Sequence, residues 1–270
     1  MKRALVTIAC SLLAAVFLLP VAMTCMASFM SSAELSVVFS DGYAFRWIPY
    51  KVTLENYWEL LFASEVYLKT FWNSMFIALA ATALQVGVSL IVGHMMAWAR
   101  FKGRKLLFFL YICVMLTPFQ VTLLPNYMLS KELGLYNTLW TLILPAAFAP
   151  LGGFLVRQFA SELPRDVVEA AYIDTSSNLK VIFAVTAPNV KAGLVTVAAL
   201  SFAENWNMVE QPLILLEDEW LYPLSLRLDS LIGVSAGISF SGAVLFMAPA
   251  VLLYLLFESE LVEGLKHMRL

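Results

Sequence analysis

Two groups of residues in this 270-residue chain are of types and spacings that could act on another molecule. The first is Glu204, Asn207, Glu210 and Gln211. Glu204, Asn207 and Gln211 fall at i, i+3 and i+7, a spacing that shares one helical face, with Glu210 beside them. They sit, with Asn205, in a largely apolar run, 189–215, that is unusually polar inside. A charge at mid-bilayer costs roughly 2.5–3.5 kcal/mol even on lenient insertion scales, so such groups face protein or a watery path. Lining a path, carboxylates and amides can hydrogen-bond the polar groups of a solute. Between helices, the same groups can hold two membrane proteins together. Gln85 and Gln120 are further polar residues inside apolar runs and are read as helix-packing partners. The second group is Glu169-Ala170-Ala171 followed by Asp174-Thr175, within the polar interval Glu162–Lys191. Pro164 suits the first turn of a helix, and Asp166 suits its dipole. Val167, Ala170, Ala171 and Ile173 predict an apolar stripe. Asp174-Thr175-Ser176-Ser177 reads as a break, with a Ser or Thr able to cap a second helix that Pro188 stops. A short helix, a turn and a second short helix at a membrane surface suit the reception of another protein.

The elements that must position these groups are membrane spans. Hydrophobic residues make up 61% of the chain and charged residues only 13%, with a mean hydropathy of +0.82, whereas soluble domains are about 45–50% apolar. One all-α, polytopic membrane domain is the economical architecture. Apolar runs predict six transmembrane helices at about 5–29, 70–99, 106–126, 138–159, 189–215 and 237–257. The first run is longer than the apolar core of a signal peptide, and Pro20 bends it. Segments 30–69, 127–137 and 216–236 then lie on one side of the membrane, and the loop 162–188 lies on the other. With the termini in the cytoplasm, 12 of the 17 Lys and Arg fall inside, Arg100, Lys102, Arg104 and Lys105 among them. Arg46, Lys51, Lys69, Lys131 and Arg227 fall outside, as the positive-inside rule requires. The net charge of −2 carries no basic patch suited to nucleic acid. Cys10, Cys25 and Cys113 lie in apolar runs and read as small buried hydrophobes. His94 and His267 are too few and too separated for a metal site, and no catalytic residues are assigned. No G-x-x-x-x-G-K-[ST] is present to cradle nucleotide phosphates, and no H-E-x-x-H to hold a metal.

Glu169-Ala170-Ala171, Asp174 and Pro188 resemble the EAA loop of binding-protein-dependent ABC importer permeases. Further matches run in order from Asn56 to Leu265. They are Leu54-Glu55-Asn56-Tyr57-Trp58, Asn73-Ser74, Ala97-Trp98-Ala99-Arg100 with Gly103-Arg104, Pro118, Leu133-Gly134-Leu135-Tyr136-Asn137-Thr138, Arg157-Gln158-Phe159, Pro164, Trp206-Asn207 and Leu261-Val262-Glu263-Gly264-Leu265. Together they resemble the smaller, MalG-like permease of maltose-type carbohydrate importers. The resemblance implies a type I importer fold with a cytoplasmic coupling helix, in the plasma membrane of a prokaryote. Its implied partners are membrane lipid, a second homologous permease, two ATPase subunits that carry ATP and Mg, and an extracytoplasmic solute-binding protein. The last would meet the 216–236 loop, which otherwise reads as a solvated connector. By the same resemblance Glu169 pairs with a basic group of the ATPase, Ala170 and Ala171 allow close approach, and Asp174 shapes the turn. Thr175 stands where the family has Gly, which puts the shape of that turn in question, because a β-branched residue is strained in the left-handed region. His94 replaces a small residue of the family and is read as packed. The 54–58 segment is read either as the entry to an amphipathic helix outside the membrane or as a solvated loop.

Two other classes are weighed against this one. A secondary transporter working without an ATPase predicts paired broken helices in an inverted repeat, and although prolines and glycines are plentiful no paired halves are found. An intramembrane enzyme predicts a nucleophile with its base or a set of metal ligands, and none appears. Both can work as a lone chain, and an importer subunit cannot.

Overall fold

The computed structural model describes residues 2–40, 48–232 and 235–267, which are helical or in turns with no strand. The α-helices in chain order are α1 (Lys2–Ser28), α2 (Ser32–Ser40), α3 (Glu55–Trp58), α4 (Glu65–Trp98), α5 (Arg104–Met115), α6 (Phe119–Glu132), α7 (Trp140–Ala147), α8 (Pro150–Ser161), α9 (Arg165–Asp174), α10 (Asn178–Val181), α11 (Ala187–Asn189), α12 (Lys191–Trp206), α13 (Glu210–Leu215), α14 (Leu224–Ile232) and α15 (Ala236–His267). A π-helical turn, Glu59–Ala63, follows α3, and a second, Ile182–Thr186, joins α10 to α11. Arg46, counted above among the outside residues, and Asp41-Gly42 and Arg269 lie outside the described residues.

Leu5–Ser28, Glu65–Trp98, Trp140–Ser161 and Ala236–Glu260 are each long and apolar enough to cross a membrane. Two bent pairs pass the same test, α5 with α6 at 97° and Asn178–Asn189 with α12 at 85°, which makes four to six spans. The first bend departs from the straight span read at 106–126, whereas the second falls at the start of the span read at 189–215, which is instead interrupted at 207–209. At the first, Pro118 has no N–H with which to continue α5, and its own backbone is extended. It takes φ −57° and ψ 137° and starts α6 as a separate helix. α6 then runs to Glu132, through half of the turn expected at 127–137. Large apolar side chains of α1, such as Leu12 and Phe17, are 64% and 70% exposed, a surface that suits lipid rather than water. The cysteines follow the same logic. Cys10 and Cys113 are exposed and Cys25 half-buried, because the apolar runs that carry them turn these faces away from the chain's own core.

The chain divides into two compact units, Met1–Phe71 with Leu226–Pro249 and Trp72–Ser225 with Ala250–Leu270. In the first, the 54–58 segment is a short helix anchored by one buried residue, Asn56, with Leu54, Glu55 and Trp58 exposed. Asn56 Nδ2 donates to the Met30 carbonyl at 2.8 Å, its Oδ1 accepts from Ser32 at 3.1 Å, and the Tyr57 hydroxyl donates to Ser28 Oγ at 2.7 Å. Ala27, Met30 and Leu35 make the fully buried apolar cluster beside it.

The second unit has two cores. One gathers Leu90 of α4, Leu155, Val156 and Phe159 of α8, Ile182, and Val197 of α12. The other gathers Ile77 and Ala81 of α4, Leu142 and Ile143 of α7, and Met208, Leu215 and Leu216. The 216–224 segment is tied to this second core by its main chain. Asn73 Nδ2 donates to the carbonyls of Trp220 (2.7 Å) and Tyr222 (3.2 Å), and Ser74 Oγ accepts from the Leu224 N–H (2.7 Å). Asn137 Oδ1 accepts from the N–H groups of Glu217 and Asp218, both at 2.9 Å. Asn137 sits at φ +58°, a left-handed conformation that Asn tolerates and Ala does not. Asn137→Ala therefore loses two accepted hydrogen bonds and strains the backbone, and is expected to destabilise by about 2 kcal/mol. Asn137→Gly recovers the backbone part alone, and thermal unfolding in detergent separates the two contributions.

Candidate functional site

α9 is positioned by its inner side. Pro164, at φ −59° and ψ 133°, stands one residue before the helix as its cap rather than inside the first turn, and Asp166 lies in that turn. The buried face is Val168, 1% exposed, with Ala171 and Tyr172 half-buried at i+3 and i+4. The stripe read from the sequence is displaced. Val167 and Ile173 are 43% and 86% exposed, and Ala170 is exposed beside them. An unpaired apolar edge thus points away from the chain, and Leu179 of α10 and Phe183 of the π turn, 58% and 57% exposed, add to it. Burial raises the Tyr172 phenol above its ordinary pKa, so it stays protonated at neutral pH.

The turn after α9 is made without a left-handed residue. Thr175 takes φ −150° and ψ 138°, an extended conformation that suits a β-branched side chain. Its Oγ1 accepts from the Ser177 N–H at 3.2 Å, and Ser177 Oγ caps α10 by accepting from Lys180 N–H at 3.5 Å. The absent glycine is therefore accommodated by a different turn, and Ser177 is the cap the sequence offered.

α4 and the turn after it brace this loop from beneath. Trp98 Nε1 donates to the Ala160 carbonyl of α8 at 2.8 Å. Arg104 Nη1 donates to the carbonyls of Ala97 (2.9 Å) and Ala99 (3.0 Å), closing the basic turn around Gly103 at φ +88°. Arg100 pairs with Glu169 at 2.9 Å, with both side chains mostly in solvent. His94 is fully buried, with Nδ1 2.8 Å from Thr186 Oγ1 and Nε2 2.9 Å from the Tyr172 hydroxyl. The Arg100–Glu169 pair and the His94 contacts join residues 69 to 92 positions apart, so no local pattern announces them.

The other polar group does not share one helical face. α12 stops at Trp206, where Asn207 folds back and its Nδ2 donates to the Ala203 carbonyl at 2.8 Å. Glu210 and Gln211 begin the separate helix α13, so the i, i+3, i+7 alignment from Glu204 is broken by the 207–209 interruption. Glu204, Asn207 and Glu210 are exposed, and Gln211 is half-buried. Glu210 Oε2 accepts from Gln120 Nε2 of α6 at 3.3 Å. Asn205, 4% exposed, donates to the Ser201 carbonyl at 2.7 Å and is structural. Gln85, 3% exposed, reaches the Ala149 carbonyl at 3.5 Å, a packing contact at the edge of hydrogen-bond range.

A family model described as the binding-protein-dependent transport system inner membrane component matches residues 85–259. The arabinooligosaccharides transport system permease protein AraQ of Halalkalibacterium halodurans is 30% identical over 264 residues, covering 97% of this chain and 94% of that one. The osmoprotective compounds uptake permease protein GgtD of Synechocystis is 32% identical over 194 residues, covering 69% of this chain and 64% of the other. In fold, the chain is similar to a solved bacterial ABC transporter involved in the import of the acidic polysaccharide alginate. The TM-score is 0.82 and the identity 17%, with 95% of each chain covered.

Proposed function

The chain belongs to the family of binding-protein-dependent transport system inner membrane components, and from that premise we propose that it forms half of the path of an ATP-driven importer for an oligosaccharide or a related polyhydroxylated solute. The observation that carries this reading is α9. It is a short helix braced from beneath by α4, with Val167, Ala170 and Ile173 left exposed and Glu169 at its surface. Such a helix presents an apolar edge and one carboxylate to a partner. In this reading the partner is an ATPase subunit, two of which bind ATP and Mg, since this sequence carries no phosphate-binding loop. A second, homologous permease completes the path.

The solute class follows the relatives named for arabinooligosaccharides, lactose and sn-glycerol-3-phosphate. Glu204, Asn207, Glu210 and Gln211 are the side chains offered to its hydroxyls. The excess of Lys and Arg around 100–105 and in the α9–α11 loop supports cytoplasmic termini. The 216–224 segment then faces outward, where an extracytoplasmic solute-binding protein docks. Gentle purification of the tagged chain from its host, with mass spectrometry of what accompanies it, is expected to recover a second permease and an ATPase. Recovery of the chain alone, moving solute in liposomes without ATP, would overturn the proposal in favour of an ion-driven carrier.

A further inference from the structure

One imidazole ties a membrane span to both halves of the α9–α11 loop. His94 lies near the end of α4 and is 0% exposed. Tyr172, on one of its ring nitrogens, belongs to α9, before the turn at Thr175. Thr186, on the other, belongs to the π turn after α10 and is also 0% exposed. A neutral imidazole has one donor and one acceptor, and a hydroxyl serves as either, so both contacts are hydrogen bonds in either tautomer. Buried from water, Thr186 Oγ1 has no solvent to replace the ring.

The backbone around Thr186 makes this contact specific. π-helical turns are rare and occur mostly as single inserted residues at functional positions. An inserted residue rotates whatever follows by about 100° around the helix axis. Thr186 closes such a turn and faces His94 in that register. Its carbonyl accepts the Val190 N–H at 2.9 Å, immediately before the 85° bend into α12. The inner apolar residues Val168, Val181 and Ile182, each 1% exposed, hold the loop down. Apolar contact has little directionality, whereas the two hydrogen bonds fix the loop along and around α4.

We propose that His94 is the positioning residue that makes α4 and the α9–α11 loop move as one piece when a docked ATPase pushes on α9. The proposal rests on the reading of α9 as the docking helix. Without the two bonds the ATPase still docks and hydrolyses ATP, but the loop slips against α4 and less of the stroke reaches the span.

The test uses the complete importer in proteoliposomes and measures ATP hydrolysed per solute delivered. His94→Leu removes both bonds, and Tyr172→Phe and Thr186→Val remove one each with little change in shape. The ratio is expected to rise roughly fivefold or more in His94→Leu and by a smaller factor in each single-bond variant. His94→Gln, which can restore one bond, is expected to fall between His94→Leu and the wild type. A purely packing role predicts no such graded ratio. Should His94→Leu fail to assemble, Tyr172→Phe decides the matter. Complexes that retain their ATPase and show the wild-type ratio in Tyr172→Phe and Thr186→Val overturn the latch alone. A wild-type preparation that holds no ATPase overturns the docking reading and the latch with it.

Discussion

Glu169→Ala is expected to remove nearly all ATP-driven uptake while the chain remains folded and inserted. The folding half of this expectation comes from what α9 buries. Val168 and Tyr172 face the chain, and Glu169 faces out, paired with Arg100 at 2.9 Å between two largely solvated side chains. Exposed pairs of this kind contribute about 0–1 kcal/mol, so losing one leaves the fold intact. The functional half comes from the covered state. A partner that closes over Val167, Ala170 and Ile173 also closes over the Glu169 carboxylate, and must supply a basic group in exchange for Arg100. Truncating one member of a desolvated, hydrogen-bonded charge pair costs about 2–5 kcal/mol. That cost is roughly 30-fold to several-thousand-fold in affinity. Uptake into proteoliposomes and retention of the ATPase on the tagged chain both measure it. Wild-type values for both reject the assignment. Arg100→Gln is the informative companion, because Arg100 competes for the same carboxylate. It is expected to shift stability by less than about 1 kcal/mol and to tighten ATPase retention.

Gly93→Val is expected to deplete the folded chain. A Cβ at Gly93 would lie 2.7 Å from Val156 Cβ and 2.8 Å from the backbone nitrogen of Arg157. The first contact could yield by a side-chain shift, but the second is main chain of α8 and yields only if the helices part. Small residues permit this kind of approach between membrane helices. Overpacking a close contact costs about 1–3 kcal/mol, and valine brings two further methyl groups beyond the Cβ. Gly87 supplies the contrast on the same helix, since a Cβ there meets nothing within 4 Å. Gly87→Ala is expected to be neutral or to stabilise by about 0.5–1 kcal/mol through helix propensity. Fluorescence-detected size exclusion with a thermal ramp ranks the two variants. Equal melting of Gly93→Val and Gly87→Ala would reject the packing argument.

Much of the loop was legible in the sequence because its signals are local. The Ser177 cap, the first-turn Asp166 and the break at 174–177 are each set by residues a few positions apart. The arrangement of Glu204, Asn207, Glu210 and Gln211 was not legible, because counting i, i+3 and i+7 assumes an unbroken helix. Asn207 breaks that assumption by hydrogen-bonding back to Ala203. Pro118 offered a sign of the 97° break after α5, but an apolar run long enough to span outweighed it. His94 gave no sign of its role, since Tyr172 and Thr186 lie 78 and 92 residues away and only the fold brings them to the ring. The direction in which α9 faces was likewise hidden. Val167 and Val168 are chemically alike, and only packing decides which one is covered.

The 216–224 segment is gripped through its carbonyls and N–H groups by Asn73, Ser74 and Asn137, and those bonds read no side chain of the segment itself. Leu216 is fixed in the second core and Asp218 Oδ1 accepts from the Trp220 N–H, but the exposed positions of the segment are held by main-chain bonds that do not depend on the residues displayed there. Trp220, 56% exposed, can be replaced while the rim it sits on keeps its shape, and Glu217 at the loss of one exposed hydrogen bond from the Tyr136 hydroxyl. In the proposed importer, a lineage that exchanges one solute-binding protein for another has only to redecorate the exposed positions of this rim.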